Sequence, residues 1–295
     1  MDMRFGIVVL PERSWRDAVR TWVAVEEMGF DHAWTYDHLQ WRGVGRGPWY
    51  GMVPTLAAAA AVTSRIGLGS LVANARLRDP VVFAKEVMTI DDISGGRAIC
   101  GVGSGGPDRD VFGWGALTTA QRSDRYGEFV RLTDLLLRQE AVDFDGEHYR
   151  CRGTVLVPGC VRRPRVPLGV AAAGPRGMRL AARFADLWLT MGAVGSFEPR
   201  PYREAVPVVR EQVAALERAC REVGRDPAEV SRLLVASPAI DGVLESVGAF
   251  EDAAGAFAEV GITDFVVHWP RPDHPYRGRP EVVAEVAGSV LGSRS

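Results

Sequence analysis

Acidic and histidine side chains lie where apolar runs of the sequence end. Glu12 follows the first run, and Asp37 and His38 directly follow the run "DHAWTY". A late run ends in His268 and Trp269. Carboxylates and imidazoles are the groups that most often move protons in enzymes. We therefore expect Glu12, Asp37 and His38 to be catalytic candidates, and Glu12, His268 and Trp269 to line the substrate side.

Strand-like and helical patterns alternate along the chain. Short apolar runs predict eight strands, at residues 4–10, 31–36, 65–73, 97–104, 166–172, 186–190, 231–237 and 263–269. Helical spacing predicts helices at 14–29, 53–64, 80–94, 121–139, 175–185, 202–223, 249–260 and 278–291. Several runs are continuously apolar, as parallel strands buried on both faces are. Eight strand–helix pairs predict an α/β fold, a (β/α)8 TIM barrel, with an open doubly wound sheet as the alternative.

The barrel is predicted to form one domain over residues 1–295, with insertions after strands 2, 4 and 6. The loop after strand 2 is rich in glycine and tryptophan, and Trp41 and Trp49 in it favour an aromatic wall for the substrate. Packing of the barrel mouth is the alternative role for these two rings. A hairpin is expected around residues 142–151, where Asp145-Gly146 is a turn signal.

Composition excludes several classes of partner. The formal net charge is −2, which gives no basis for a nucleic-acid or membrane-surface partner. No apolar stretch approaches the roughly 20 residues of a spanning helix, and the first residues show no signal-peptide pattern. The cysteines show no CxxC spacing; they are Cys100, Cys151, Cys160 and Cys220. We expect a cytoplasmic protein with reduced thiols.

The strand ends favour cofactor chemistry. In barrels the chemistry lies at the carboxyl ends of the strands. A metal-dependent hydrolase would place several histidines and carboxylates there, often as His-x-His, and no such pair occurs among the five histidines. Most of these strand ends are instead rich in glycine and alanine. Such ends suit a site that holds a large planar cofactor and leaves the reaction to it, with no metal.

The segment "AAAGPRGMRLAARFA" (171–185) carries the strongest signal for an anion. A strand ends in small residues, and a proline then begins a helix whose first N–H groups lack partners inside the helix. An ordinary strand–helix junction is the alternative. The residues of this candidate phosphate site are Ala173, Gly174, Pro175, Arg176, Gly177 and Met178. The run "GVGSGG" (101–106) lacks GxGxxG spacing and is a weak signal by itself.

Four segments spread over nearly the whole chain carry a family resemblance. They are "FGIVV", "EEMGFDHAWTYDHL", "TSRIGLGSLVANARLRDPVVFAKEVMTIDDISGGRAICGVGSG" and "VAAAGPRGMRLAARFADLW". Together they resemble the bacterial luciferase-like superfamily, in particular the branch that uses the deazaflavin F420. The resemblance implies a barrel with a flavin or deazaflavin at the strand carboxyl ends, a small-molecule substrate and a homodimer.

The resemblance also implies roles for particular residues. Asp37 and His38 would face the ring system, and a non-prolyl cis peptide would lie at Ser70-Leu71. The next three residues would follow the cofactor; they are Val72, Ala73 and Asn74. The ribityl phosphate would lie on the segment from Ala173 to Met178 and on Gly103, Ser104, Gly105 and Gly106. Sugar-phosphate dehydrogenases of this branch have a glutamate where Gly106 stands, so that role does not transfer.

The resemblance leaves F420 and FMN as alternatives, and three features favour F420. One is the high arginine content, since Arg42, Arg76, Arg78 and Arg176 could meet the acidic tail of F420. The strand-2 ending is Asp-His rather than Glu-His, and the phosphate loop is Ala-Gly-Pro rather than Glu-Ser. With F420 the protein would transfer hydride, for instance to an imine or an activated alkene. With reduced FMN it would be a monooxygenase. A protein that binds cofactor without turnover, and a cofactor-free lyase barrel, are further alternatives.

Overall fold

The computed structural model describes residues 3–105, 115, 117–192 and 199–292, and strands alternate with helices along them. The strands are β1 (Arg4–Val8), β2 (His32–Thr35), β3 (Gly67–Ser70), β4 (Ala73–Asn74), β5 (Ala98–Gly103), β6 (Ala141–Asp145), β7 (Arg150–Val155), β8 (Leu168–Ala171), β9 (Leu187–Thr190), β10 (Ser231–Val235) and β11 (Asp264–His268). The helices are α1 (Trp15–Glu27), α2 (Met52–Val62), α3 (Pro80–Ser94), α4 (Thr119–Arg138), α5 (Pro175–Phe184), α6 (Tyr202–Glu222), α7 (Val247–Glu259) and α8 (Pro280–Val286), with a π-helical turn over Ala287–Leu291.

Eight parallel strands close into a barrel. Their order is β3, β2, β1, β11, β10, β9, β8 and β5, and β5 returns to pair with β3. The closing register joins Leu68 to Ala98 and Gly69 to Ile99. This closure confirms the predicted (β/α)8 TIM barrel and excludes the open sheet. Since every strand pair is parallel, all eight carboxyl ends lie at one rim, which we call the barrel mouth.

Local sequence signals account for the helix ends. Asp79 accepts hydrogen bonds from the backbone N–H groups of Val81 and Val82, and Pro80 occupies the first helical position of α3. Gly95, with φ of 65°, ends that helix in the left-handed region, so its bounds match the prediction. Helix α4 begins two residues earlier than expected because Thr118 and Gln121 form a reciprocal capping box.

The third predicted strand is not continuous, which corrects the expectation of one strand over 65–73. It divides into β3 and the two-residue β4, which pairs with β5. Ser70 Oγ donates to the carbonyl of Gly101 and accepts from the N–H of the same residue. A side chain therefore takes over the cross-strand pairing at this point, and the backbone can leave the ladder as a bulge.

Two layers of side chains fill the molecule. Residues that point outward from the strands, such as Ile7, Cys100 and Trp188, pack against the helices. Residues that point inward fill the barrel; they include Val8, Leu10, Trp34, Leu189, Leu233, Val235 and Val266. The alternation along each strand is the reason that neighbours in sequence lie in different layers.

Two glycines make room for large rings inside the barrel. A Cβ at Gly6 would overlap the ring of His32, and a Cβ at Gly69 would overlap the ring of Trp34. Both rings are buried. A barrel interior must be filled without overlap, so a glycine on a neighbouring strand matches each bulky residue.

A polar network occupies the amino-terminal end of the barrel interior. Trp34 Nε1 donates to His32 Nδ1 (2.7 Å), and His32 Nε2 lies 3.0 Å from the carboxylate of Asp264. Arg4 pairs with the same carboxylate at 2.9 Å. Burial raises the pKa of Asp264, but hydrogen bonding and charge from His32, and charge from Arg4, lower it overall. The carboxylate is therefore held in its ionised form.

A hairpin is inserted between α4 and β8 of the barrel. The antiparallel hairpin β6–β7 confirms the predicted turn, and Glu128 on α4 accepts from the backbone N–H groups of Glu147, His148 and Tyr149 in it. Tyr149 Oη reaches the carbonyl of Ala75 at 2.9 Å. Across the described ranges, none of the helices combines the length and apolarity needed to cross a membrane.

Replacing Asp264 with Asn is expected to lower the free energy of unfolding by about 3 kcal/mol at neutral pH, because Arg4 and His32 lose a buried charge partner. Chemical denaturation measures the difference. Asp252→Asn is the matched control, since Asp252 is largely exposed and forms a long, weak pair with Arg203 at 3.8 Å. Its expected cost is below about 0.5 kcal/mol.

The Asp264 effect should depend on pH. A carboxylate with a lowered pKa adds stability above its unfolded value and loses it as pH falls through the folded value. The difference between wild type and Asp264→Asn should therefore shrink below about pH 4. A difference that stays constant down to acid unfolding would contradict the ion-pair assignment.

Candidate active site

The barrel mouth is lined mainly by aromatic and neutral polar side chains. Tyr36 follows β2 and points inward, because it continues the alternation of His32 and Trp34. His268 ends β11 and points to the same interior. Tyr36 Oη lies 2.6 Å from His268 Nε2 and 3.1 Å from the hydroxyl of Tyr276.

Two tryptophans of the loop after β2 complete an aromatic cluster. The rings of Trp41 and Trp49 have centroids 5.4 Å apart, and both rings lie against Tyr36. His38 meets Tyr36 and Trp49 edge-on at 5.9 and 6.0 Å. The indole N–H of Trp49 is buried and has no hydrogen-bond partner among the described residues. A buried donor without a partner is costly, and a bound molecule with an acceptor atom would satisfy it.

Asp37 is engaged in a two-pronged ion pair. Arg78 donates to both carboxylate oxygens, at 3.0 Å from Nε and 2.7 Å from Nη2. The backbone N–H of Asn74 donates to the same carboxylate at 3.0 Å. Burial lowers the pKa of Arg78, but bonding to Asp37 and its charge, with the charge of Glu86, raise it overall. Asp37 therefore ties the loop after β2 to the bulge at β4, a geometry that favours positioning over proton transfer.

Glu12 is also paired. Arg271 Nε lies 3.0 and 2.8 Å from its two carboxylate oxygens. The Nη1 of the same arginine donates to the carbonyls of His274 and Pro275, at 3.2 and 3.0 Å. Glu12 thus anchors the loop after β11, which carries Tyr276, to the loop after β1.

A cis peptide lies beside the mouth, one residue later than expected. The non-prolyl cis bond joins Leu71 to Val72, not Ser70 to Leu71. The register of the ladder explains the shift, because the N–H of Leu71 still bonds to the carbonyl of Thr35 (2.9 Å) and prolongs the β3 pairing by one residue. The expected class of feature is present, and the position expected for it was wrong.

Glycines of β5 and its following turn fit closely against this bulge. A Cβ at Gly101 would overlap the carbonyl oxygen of Ser70, and one at Gly103 would overlap the Val72 side chain. Gly105, with φ of 76°, lies against the side chain of Asn74. Because these glycines have no side chain, the backbone of β5 and its turn can lie close against the bulge. Ser104 lies between the last two, and Gly106 falls outside the described residues.

The amino end of α5 is open. Within the described structure no side chain caps it, and Ala173, Gly174, Pro175 and Arg176 are exposed. Arg176 makes an exposed pair with Asp124, at 3.2 Å. Gly177 is half-buried, and Met178 is buried in the outer layer of the core. The helix end therefore offers unpaired backbone N–H groups and a guanidinium to an anion.

The structure brings together four of the residues singled out in the sequence: His38, Trp41, Trp49 and His268. Trp269 lies apart from them, because strand alternation turns it toward the outer core layer. Tyr36 and Tyr276 are mouth residues that sequence reasoning did not select. The inward register of Tyr36, two residues after Trp34, was a usable signal. Tyr276 had none, because its position depends on the path of a loop.

Known proteins resemble this chain over most of its length. The profile of a family described as luciferase-like monooxygenase matches residues 3–258. A 5,10-methylenetetrahydromethanopterin reductase of Archaeoglobus fulgidus is 29% identical over 272 residues, covering 87% of this chain and 77% of that protein. An F420-dependent glucose-6-phosphate dehydrogenase of Beutenbergia cavernae is 30% identical over 303 residues, covering 88% of each.

Solved structures share the fold. A coenzyme F420 dependent tetrahydromethanopterin reductase from Methanopyrus kandleri superposes with a TM-score of 0.77 at 19% identity, covering 100% of this chain and 99% of that one. An F420-dependent secondary alcohol dehydrogenase superposes with a TM-score of 0.80 at 17% identity, covering 97% of this chain and 98% of that one. At these identities the likeness concerns the barrel architecture.

Replacing Glu12 with Gln is expected to lower the free energy of unfolding by about 1.5–3 kcal/mol, because Arg271 loses a charged hydrogen-bond partner. The near-ultraviolet circular dichroism of the aromatic cluster should weaken as the loop that carries Tyr276 loosens. Glu251→Gln, at an exposed position of α7, is the control and should change neither quantity. Unchanged stability and spectrum in Glu12→Gln would contradict the anchoring role.

Proposed function

Because the chain belongs to the luciferase-like monooxygenase family, we propose that it is an F420-dependent oxidoreductase that transfers a hydride between the cofactor and a small organic molecule. The expectation that F420 is the cofactor is supported by the relatives. The Beutenbergia cavernae protein and both structural neighbours are named as F420-dependent. The observation that carries the proposal is the barrel mouth, where neutral rings and hydroxyls are grouped while Asp37 and Glu12 are tied to arginines.

Three features of the described residues fit a deazaflavin. The buried indole N–H of Trp49 lacks a partner, and a heteroaromatic ring with carbonyl acceptors would satisfy it. The open amino end of α5, with Arg176, matches a phosphate. A Cβ placed on Gly174 would have no neighbouring atom within 4 Å, so there is space for a ligand at this position. When bound, F420 supplies or accepts the hydride.

The roles proposed for the residues follow from these contacts. His38, between Tyr36 and Trp49, is proposed to bind the substrate or the ring edge and to support charge or proton transfer. Asp37 is proposed to hold the β4 bulge against the cofactor, through Arg78. Glu12 is proposed to act by positioning the loop after β11. For the substrate, an imine or an activated alkene is the proposed class of acceptor.

We also propose that the whole chain is one domain and acts as a homodimer through α2 and α3. Val62, Val82 and Ile93 on these helices are 39%, 59% and 42% exposed. Val82 and Ile93 are about three helical turns apart and share one face. Light scattering should give twice the chain mass, and Val82→Asp should shift the protein toward monomer by placing charges opposite each other. A monomeric wild type at micromolar concentration would contradict this.

Titration of the purified protein with F420, followed by fluorescence, is expected to give micromolar or tighter binding. FMN should bind more weakly, since the site is proposed to be specific for F420. With reduced F420 bound, a panel of small imines and activated alkenes should include compounds that oxidise it. Binding of FMN alone, or of neither cofactor, would contradict the proposal.

The role of His38 has its own control. His38→Ala, measured at saturating F420, should lower turnover by about 100-fold or more, as loss of a proton-transferring group does. His148→Ala, in the β6–β7 hairpin, removes a histidine away from the mouth and should leave turnover intact. Unchanged turnover in His38→Ala would remove it from the mechanism. Tight F420 binding without any turnover would favour a cofactor-binding protein.

A further inference from the structure

A chain of hydrogen bonds runs from the wall of the barrel to its mouth. His268 Nδ1 lies 3.1 Å from the carbonyl oxygen of Ala236, which directly follows the neighbouring strand β10. His268 Nε2 lies 2.6 Å from Tyr36 Oη, which lies 3.1 Å from Tyr276 Oη. The three rings are therefore linked in series, from the carbonyl of Ala236 to the hydroxyl of Tyr276.

The direction of every proton in this chain is determined at its inner end. The carbonyl of Ala236 can only accept, so Nδ1 of His268 must carry a proton. Burial lowers the pKa of His268 to about 3, and the ring is therefore neutral with a bare Nε2. Tyr36 must donate to that nitrogen. Its oxygen is then the acceptor toward Tyr276, which must donate to Tyr36.

The outer end of the chain is consequently an acceptor. The proton of Tyr276 is committed to Tyr36, which leaves its oxygen with lone pairs only. The bond between Tyr36 and His268 is buried, whereas the bond between the two tyrosines is partly buried. Tyr36 is the only hydrogen-bond partner of the Tyr276 hydroxyl in the described ranges. A donor that approaches the mouth therefore finds an oriented acceptor there.

The position of Tyr276 is prearranged by its loop. Its ring stacks on His268 with centroids 3.5 Å apart and lies parallel to Trp41 at 6.1 Å. The backbone of Tyr276 has φ of 66°, and its carbonyl accepts from the N–H of Arg271 (2.9 Å). Arg271 is held in turn by Glu12. A non-glycine residue in the left-handed region needs such surrounding support.

We propose that Tyr276 determines substrate specificity by accepting a hydrogen bond from the substrate, and that the reacting group therefore carries an O–H or N–H donor. Alcohols, amines and protonated imines have such a donor, whereas ketones and activated alkenes do not. Of the two acceptor classes proposed above, this inference therefore retains protonated imines and excludes activated alkenes. This substrate class rests on the proposed hydride-transfer function. The polarity of the tyrosine–histidine chain rests on the described contacts and on the burial that keeps His268 neutral, and it does not depend on the proposed function.

Cyclohexanol and cyclohexanone are matched probes, because they differ in the donor. With F420 present, and again without it, the wild type should bind cyclohexanol about five- to ten-fold more tightly, the value of one hydrogen bond. Quenching of tryptophan fluorescence reports the binding. Tyr276→Phe keeps the stacked ring and should abolish the difference. Tyr202→Phe, which removes a hydroxyl at the start of α6, should preserve it.

Equal affinity for the two probes in the wild type, including no measurable affinity for either, would overturn the proposal. So would a preference that survives in Tyr276→Phe. Nitrogen-15 spectra of histidine-labelled protein give a second readout, with His268→Gln used to assign the signal. A neutral ring protonated on Nδ1 is expected, and a ring protonated on Nε2 would reverse the chain and overturn the proposal.

These outcomes separate the inference from the proposed function. The His268 spectrum and the probe preference do not require turnover. Failure of F420 to bind, together with an Nδ1-protonated ring and a donor preference, would remove the cofactor proposal and leave Tyr276 as an acceptor. Tight F420 binding without a preference for the donor would support the cofactor proposal and remove Tyr276 as the acceptor that determines specificity.

Discussion

Closure of eight parallel strands is the constraint on which the rest of the structure depends. The pairing of β3 with β5 completes the ring of hydrogen bonds and brings every strand carboxyl end to one rim. The same point of closure carries the bulge, where Ser70 bonds to Gly101 in place of the ladder. Glycines at positions 101, 103 and 105 let the bulge lie directly on the neighbouring strand. Barrel closure and the shape of the mouth are therefore one packing problem.

The two ends of the barrel interior hold polar groups of different kinds. At the amino end, Asp264 is ionised between Arg4 and His32, so its contribution is to stability. At the carboxyl end, Tyr36 and His268 are both buried, and burial raises the pKa of the first and lowers that of the second. Both therefore stay neutral near physiological pH. Neutral groups with defined donor and acceptor directions suit recognition of a ligand that brings its own chemistry.

Arginine pairs explain how acids can lie near the mouth without making it charged. Asp37 is paired with Arg78, and Glu12 is paired with Arg271. Each pair joins a loop that follows one strand to a loop or bulge that follows another. The acids thereby determine where the loops lie, and the loops determine where the aromatic rings lie. This division agrees with a mouth whose residues bind and orient while a cofactor supplies the hydride.

The sequence by itself determined the alternation of elements, the barrel and the strand ends that supply the mouth. Periodicity and capping residues act locally, which is why α3 matched its predicted bounds and why His38, Trp41, Trp49 and His268 could be chosen in advance. Local signals do not say which side chains pair across the barrel. Only the tertiary structure turned Trp269 outward, shifted the cis peptide by one residue and tied Glu12 to Arg271. It alone brought Tyr276, eight residues beyond the last strand, onto His268, because that contact depends on the path of a loop through space.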